Sequence, residues 1–351
     1  MNGKITIVDV AKRAGVSKGT VDRVLHNRGE VSRKSAAKVR KAIEELDYEP
    51  NLHASLLATR NAHVIACLLP EIVPGEYWDK IDKGFAAGGE KVAALNISTK
   101  AFYYSQYDAA SFRSACAELL ESNPSAVVLP PLFMTDSFAL TSELSSRGIP
   151  YVYVDSKLEE DNYFAYYGMP MYKSGYLCAA LLTERCRPEE VRDVAVIRIN
   201  RDKNRQSDPT VNRREGFMDY MWANFPQSSI HNIFINPSDP KGTYDALDSF
   251  FREHPDTRLV VTFSSRIHLI GRYLADHPDP RRRVIGYDNL DSNLELLRDG
   301  HVSIIITQHT ENQSHEAVSL LADYLLMHKM PARRDNYIHM DILTRYNQEN
   351  Y

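Results

Sequence analysis

Apolar residues recur at helical spacing from Ile7 to Leu46, and the pattern breaks twice, so that three short helices are predicted. Ile7, Val10, Ala11 and Ala14 share one face of the first, which Thr6 caps with Asp9 in the reciprocal position. Gly15 stands where the chain must turn sharply, and Val16 follows as an apolar plug. Ser17 suits the N-cap of a second helix whose Val21, Val24 and Leu25 form the inward stripe. The opposite face carries Lys18, Gly19, Thr20, Asp22, Arg23 and His26. Ser32 opens a third helix with Val39, Ala42, Ile43 and Leu46 inward and Arg33, Lys34, Lys38, Arg40 and Lys41 outward. Two helices around a tight turn, backed by a basic third, predict a helix-turn-helix module. A small helical bundle with a solvated basic face is the other reading of the same pattern.

From His63 onward the period changes. Short apolar runs stand at 64–69, 126–130, 150–155, 194–199, 230–235, 258–263, 283–288 and 302–308. Between them lie stretches at 76–94, 107–122, 136–147, 171–186, 213–224, 241–254, 266–276, 290–299 and 311–328, most of them amphipathic. Runs rich in Val and Ile that alternate with helices predict parallel α/β sheets with right-handed crossovers. So many strands exceed one comfortable sheet, which predicts two similar lobes.

Charge separates the two parts. Residues 1–60 hold 12 Lys and Arg against 7 Asp and Glu, whereas the remainder holds 30 against 39. A basic head on an acidic body suits a chain whose head meets phosphate and whose body does not. The N-terminus has no apolar signal-like segment and no run approaches a membrane span, so a cytoplasmic protein without membrane contact is expected. Cys67, Cys116, Cys178 and Cys186 lie apart in apolar or helical contexts, which reads as free thiols in a reducing compartment. No cofactor and no metal are expected.

The head resembles that of a known family. Asp9 to Leu25 reads D-V-A-x-x-A-G-V-S-x-x-T-V-x-R-V-L, followed by Val31–Ser32 and A-I-E-E-L-x-Y-x-P-N from Ala42 to Asn51. This string is similar to the DNA-binding head of the LacI/GalR family of bacterial transcriptional regulators. The resemblance implies an all-α helix-turn-helix domain at 1–49, a hinge helix or linker at 50–61, and an effector-binding and dimerisation domain at 62–351. It implies that this domain is a two-lobed, Rossmann-like α/β unit of the periplasmic-binding-protein type. Lobe one would take about 62–165 and 309–332, and lobe two about 166–308 and 333–351.

In such a family a leucine of the hinge wedges into the minor groove, which places Leu57 there with Ala54 beside it. An apolar side chain inserted at a base step unstacks it and bends the duplex; ordinary linker packing is the alternative. Asp22 and His26 stand where the family usually has Ser and Asn, and Gly19 removes a side chain where the family often reads a base. Base readout is therefore expected from Lys18 and Arg23, both suited to guanine O6 and N7. Ser17, Thr20, Asn27 and Lys34 are expected on phosphates.

Ligands of open α/β sheets gather at the carboxyl ends of strands, which nominates the loop after 64–69, Asp155, Asp288 and Gln308. The resemblance adds aromatic residues Tyr77 and Trp78, and Arg213 ahead of Gly216–Phe217. Trp78 fits equally as a core anchor, and Asp288 fits as an N-cap for 290–299. Ser265–Arg266 and Pro170–Met171 replace polar pairs of the family pattern. Arg213 with Arg266 suits an acidic or modified sugar better than a simple neutral one.

The expected protein is a homodimeric regulator, by that resemblance a repressor, that binds a near-palindromic double-stranded operator under control of a sugar-like effector. A sugar-binding receptor, or a carbohydrate-active enzyme using the same cleft, is the alternative. The sequence has no G-x-x-x-x-G-K, G-x-S-x-G or strand-linked G-x-G-x-x-G, and the Gly84–Gly89 stretch is at helix-packing spacing. Glu311 and His315 read as a surface pair.

Overall fold

The computed structural model describes residues 5–25, 31–46, 62–159, 161–199 and 210–350. The head forms α1 (Ile7–Ala14), α2 (Lys18–Leu25) and α3 (Arg33–Glu45). Their caps are those the side chains favour. The Thr6 amide donates to Asp9 Oδ2 at 2.8 Å, the Thr20 amide to Ser17 Oγ at 3.1 Å and the Ser35 amide to Ser32 Oγ at 3.2 Å. Gly15 takes a left-handed φ of 64°, which lets α1 end and α2 start within three residues. Val10, Ala11, Ala14, Val21, Val39 and Ala42 make the buried core, and Arg13 bridges to Glu45 at 2.5 Å.

The body consists of two six-stranded sheets of the same plan. The first is built from β1 (His63–Pro70), β2 (Ile97–Tyr104), β3 (Ala126–Leu129), β4 (Tyr151–Val154), β5 (Ala165–Gly168) and β11 (Asp335–Tyr337), in the order β11-β5-β4-β3-β1-β2. The second is built from β6 (Asp193–Ile199), β7 (Ser229–Ile235), β8 (Leu259–Thr262), β9 (Arg283–Tyr287), β10 (Ile304–Thr307) and β12 (Asp341–Leu343), in the order β12-β10-β9-β8-β6-β7. Every described pairing is parallel except β10 with β12. Strand for strand, β1 corresponds to β6, β3 to β8 and β4 to β9. Central strands such as β3, β4, β8 and β10 are buried on both faces, which is why they read as continuous apolar runs. In the second sheet alternate residues of β6 enter separate cores, Ala195 and Ile197 on one face and Val194 and Val196 on the other.

Helices α4 (Tyr77–Ala93), α5 (Ala109–Glu121), α6 (Met134–Ser146) and α12 (Thr310–Met327) belong with the first sheet. Helices α7 (Met171–Thr183), α8 (Thr210–Asn224), α9 (Pro240–Glu253), α10 (Ile267–Asp276) and α11 (Asp291–Arg298) belong with the second. A Cβ at Gly84 would lie 2.0 Å from the Glu311 carbonyl oxygen, so the glycine stretch of α4 is where α12 approaches closest. Glu311 pairs with Lys80 at 2.9 Å and His315 with Glu316, not with each other as the i,i+4 spacing suggested. No helix among the described residues is long and apolar enough to cross a membrane.

The chain passes between the sheets after β5, after β10 and after β11. The lobe bounds expected from the sequence end the first part of lobe one at about 165 and give 333–351 to lobe two. The sheets differ: residues 166–168 and 335–337 pair with each other in the first sheet, Tyr166 opposite Asp335. These strands are three or four residues long and lie toward one edge, too short to show a period of their own. Strand β2 escaped the reading as well, because as the opposite edge strand it alternates buried and exposed residues and carries Lys100.

Candidate functional site

A cleft between the lobes holds about 700 Å³ of empty space, part of it open to solvent. Its walls are the carboxyl ends of the strands, where parallel α/β sheets leave their loops. Tyr77, Trp78, Asp155, Arg213, Ser265, Arg266, Asp288 and Gln308 all line it. Tyr77, Trp78 and Asp155 come from the first lobe, and Arg213, Ser265, Arg266 and Asp288 from the second. Gln308 sits on the crossing between them.

Asp155 follows β4 and Asp288 follows β9, and both adopt left-handed backbone, with φ of 64° and 70°. That conformation turns the chain abruptly off the strand end. Gln308 Nε2 then donates to Asp288 Oδ1 at 2.9 Å and to the Tyr77 hydroxyl oxygen at 3.1 Å. The Tyr77 hydroxyl in turn donates to Asp155 Oδ1 at 2.7 Å. Gln313 extends the network: its Oε1 accepts from the Asp155 amide at 2.8 Å and its Nε2 reaches Gln308 Oε1 at 3.3 Å. Asp288 does not cap 291–298; Leu290 occupies that N-cap position and makes no side-chain capping bond.

Arg213 is the buried cation of the site. A Cβ on Gly216, one turn later, would lie 2.0 Å from the Tyr172 carbonyl oxygen, so glycine is what allows α8 to pack directly on α7. That contact brings the guanidinium under the cleft. Nη1 donates to the Phe263 carbonyl at 2.8 Å, Nη2 lies 3.8 Å from Met169 Sδ, and the group stacks 4.2 Å over the Tyr287 ring. Its Nε is buried and has no hydrogen-bond partner among the described residues. A buried N–H left unmatched is costly, and a ligand oxygen would satisfy it.

Burial raises the Asp288 carboxyl to about 6, against the opposing pull of the Arg213 charge and the Gln308 hydrogen bond. Burial also pushes the Tyr77 hydroxyl far up, reinforced by Asp155 and Asp288, so it remains a donor. Burial by itself would depress Arg213, but Asp288, Tyr287 and Asp155 hold its guanidinium above the ordinary value.

Trp78 meets both descriptions offered by the sequence. It is buried among the first-lobe core, packs edge-on to Tyr77 at 5.1 Å, and still lines the cleft. Arg266 pairs with Glu76 across the lobes at 3.5 Å. The two guanidinium groups, on which the expectation of an acidic sugar rests, are therefore not the only charges in the cleft. Glu71, Glu76, Asp155 and Asp288 also line the cleft, so carboxylates outnumber guanidinium groups there.

Sequence reasoning missed Asn293. It is fully buried on α11, and its Nδ2 donates to the carbonyls of Ser265 at 2.7 Å and Asp288 at 2.8 Å. Its Oδ1 accepts from the His268 amide and faces His268 Nδ1, both at 3.1 Å. One carboxamide thus ties together two loops of the cleft. Gln313 was missed too; each is an amide within a helix, and neither carries a spacing signal.

In the head, Ser17, Lys18, Gly19 and Arg23 are exposed along α2, Thr20 and Asp22 are half-buried, and Lys34 is exposed at the start of α3. Arg23 Nε donates back to the Gly19 carbonyl at 3.1 Å. Asn27, Ala54 and Leu57, with the hinge assigned to 50–61, lie outside the described residues.

A helix-turn-helix head joined to a two-lobed binding domain with a polar interlobe cleft is the architecture of a ligand-binding bacterial regulator. Residues 6–51 match the family model of bacterial regulatory proteins of the lacI family, and residues 65–329 match that of the periplasmic binding protein domain. A solved structure of a candidate LacI transcriptional regulator from Bacteroides fragilis is 32% identical, with a TM-score of 0.78, and covers 83% of this chain and 100% of that one. The chain belongs to the LacI family of bacterial regulatory proteins. The HTH-type transcriptional regulator MalR of Streptococcus pneumoniae is 40% identical over 92 residues, 26% of this chain and only 28% of that protein's length. The sucrose operon repressor of Pediococcus pentosaceus is 27% identical over 320 residues, 89% of this chain and 90% of the repressor.

Proposed function

We propose that the protein is a transcriptional regulator, a repressor, whose hold on DNA is set by a polyhydroxylated small molecule bound between its lobes. The observation that carries the ligand half is the convergence of Asp155, Asp288, Tyr77 and Gln308 on one cleft beside the unmatched Nε of Arg213. Carboxylates accept from vicinal hydroxyls and a guanidinium donates to them, so the set suits a sugar. The excess of carboxylates favours a neutral sugar over an acidic one. Names of relatives such as the sucrose operon repressor point the same way.

The DNA half rests on the head. Helix α2, with Lys18 and Arg23 on its outer face, would enter the major groove while Ser17, Thr20 and Lys34 meet phosphates. A homodimer in the cytoplasm would present two heads to a near-palindromic operator, as two-fold symmetry requires. Effector needs only unequal affinity for the DNA-competent and DNA-incompetent states. Nothing in this scheme calls for a catalyst.

The test is selection of bound duplexes from a random pool, with and without sugars, followed by calorimetry of the sugars that change the outcome. A palindromic consensus whose retention shifts with a neutral sugar is expected. Unselective binding, or binding indifferent to every polyol, would refute the proposal; response to acidic sugars alone would refute its neutral-ligand part.

A further inference from the structure

We propose that the second lobe carries a transition-metal site formed by Asp193, His231 and His254, at the end of the sheet away from the interlobe cleft. Asp193 opens β6, His231 is the third residue of β7, and His254 is the C-cap of α9. In the parallel register Asp193 lies opposite Ser229 and Ala195 opposite His231, so Asp193 and His231 project from the same face of the sheet. Helix α9 lies over that face and delivers His254. The three donor atoms all lie within 4.8 Å of one another, the one such group of His, Cys, Asp and Glu among the described residues.

The donor set fits a borderline cation. Two imidazoles and a carboxylate are ligands for zinc, nickel, cobalt or copper and not for calcium or magnesium. Metal–donor bonds of about 2.0–2.2 Å put donors roughly 3.3 Å apart in a tetrahedral site. Asp193 Oδ1 and His231 Nε2 stand at 2.7 Å, so a metal would spread them by about half an ångström and draw His254 in. The His231 and His254 rings are already adjacent, with centroids 4.3 Å apart, and Phe250 stacks against His254 at 4.8 Å. The backbone of His254 is fixed by the hydrogen bond its amide donates to the Phe250 carbonyl at 2.8 Å. All three residues are half-buried, which leaves a path for the ion and room for a water as fourth ligand. The carboxyl end of α9 adds its own partial negative charge.

No motif announced this group, because Asp193 and His254 are 61 positions apart and the donors are gathered by two strands and a helix end. An ion pair between Asp193 and His231 explains two of the three residues. The second imidazole packed beside them is what the metal reading adds.

The full chain, stripped with chelator and free of added histidines, would be titrated with zinc by calorimetry and with cobalt by visible absorption. One equivalent of zinc, cobalt bands of a low-coordinate site, and a raised midpoint of thermal unfolding are expected. His254→Ala should weaken zinc by at least ~100-fold, since even outer-shell changes cost 10–100-fold. Asp193→Asn serves as an independent variant, and His315→Ala should bind as the parent does. If the parent takes up no zinc or cobalt at millimolar metal, or if both site variants bind as the parent does, the proposal fails. Neither result bears on the interlobe cleft, whose ligand would be titrated separately.

Discussion

Asp155 and Asp288 are the same position used twice. Each is the first residue beyond the fourth strand of its sheet in chain order, each has left-handed backbone, and each points its carboxylate into the interlobe cleft. They differ in what meets them. Asp155 accepts from Tyr77 of its own lobe, whereas Asp288 accepts from Gln308 on the crossing and faces the Arg213 charge. Under the proposed function, this near-symmetric pair of acceptors from opposite lobes would let one ligand engage both lobes at once.

The raised carboxyl of Asp288 makes a pH prediction. Its folded value of about 6 lies above the ordinary 3.8, so between those values the folded chain holds a proton that the unfolded chain has released. Raising the pH through that window therefore subtracts stability, and Asp288→Asn should remove this loss. A hydroxylated ligand that donates to Asp288 favours the carboxylate, so its affinity should rise about tenfold from pH 5 to pH 7. Calorimetry at both values, on the parent and on Asp288→Asn, measures the slope; an equal slope in both would refute this assignment.

Asn293 should behave as a positioning residue. Asn293→Ala leaves the carbonyls of Ser265 and Asp288 and the His268 amide without a partner, a loss of about 1–3 kcal/mol in stability for groups kept from water. The variant should also bind ligand more weakly, because the loops that carry Ser265, Arg266 and Asp288 are no longer tied. Unfolding midpoint and ligand affinity are the two readouts, and affinity unchanged in a destabilised variant would mean a structural role alone.

Gly216→Ala tests how Arg213 is delivered. The new Cβ would meet the Tyr172 carbonyl at 2.0 Å, and a backbone atom cannot swing aside as a side chain does. Helices α7 and α8 must part, with a cost of about 1–3 kcal/mol for the overpacked contact. Displacement of the Arg213 guanidinium should weaken the ligand as well. Thermal unfolding with and without ligand separates the two effects.

In the head, Arg23→Ala and Lys34→Ala should differ in kind. Arg23 on the outer face of α2 is assigned to a base edge, where discrimination is worth about 1–3 kcal/mol. Lys34 is assigned to phosphate, where its removal should lower the salt slope by about 0.9 and weaken all sequences alike. Anisotropy titrations on selected and scrambled duplexes at several salt concentrations give both quantities; identical behaviour of the two variants would remove the distinction.

Local structure and the chemistry of single positions were legible along the chain. Caps, the turn at Gly15 and the apolar stripes of α1 to α3 are decided within a few residues, so Thr6, Ser17 and Ser32 were readable one at a time. Strands buried on both faces wrote themselves as apolar runs, and Asp155, Asp288 and Gln308 could be nominated because strand ends are where such sheets bind. Tertiary structure alone decided the rest. The short strands at 165–168 and 335–337 exist because each has a partner, not because either has a period. Asn293 and Gln313 gain roles from the carbonyls and amides brought to them by remote segments. The charge balance of the cleft, with Arg266 taken up by Glu76, and the meeting of Asp193 with His231 and His254 depend on distances between residues far apart in the chain. Periodicity reports a residue's environment within its own element; contacts between elements leave no trace in it.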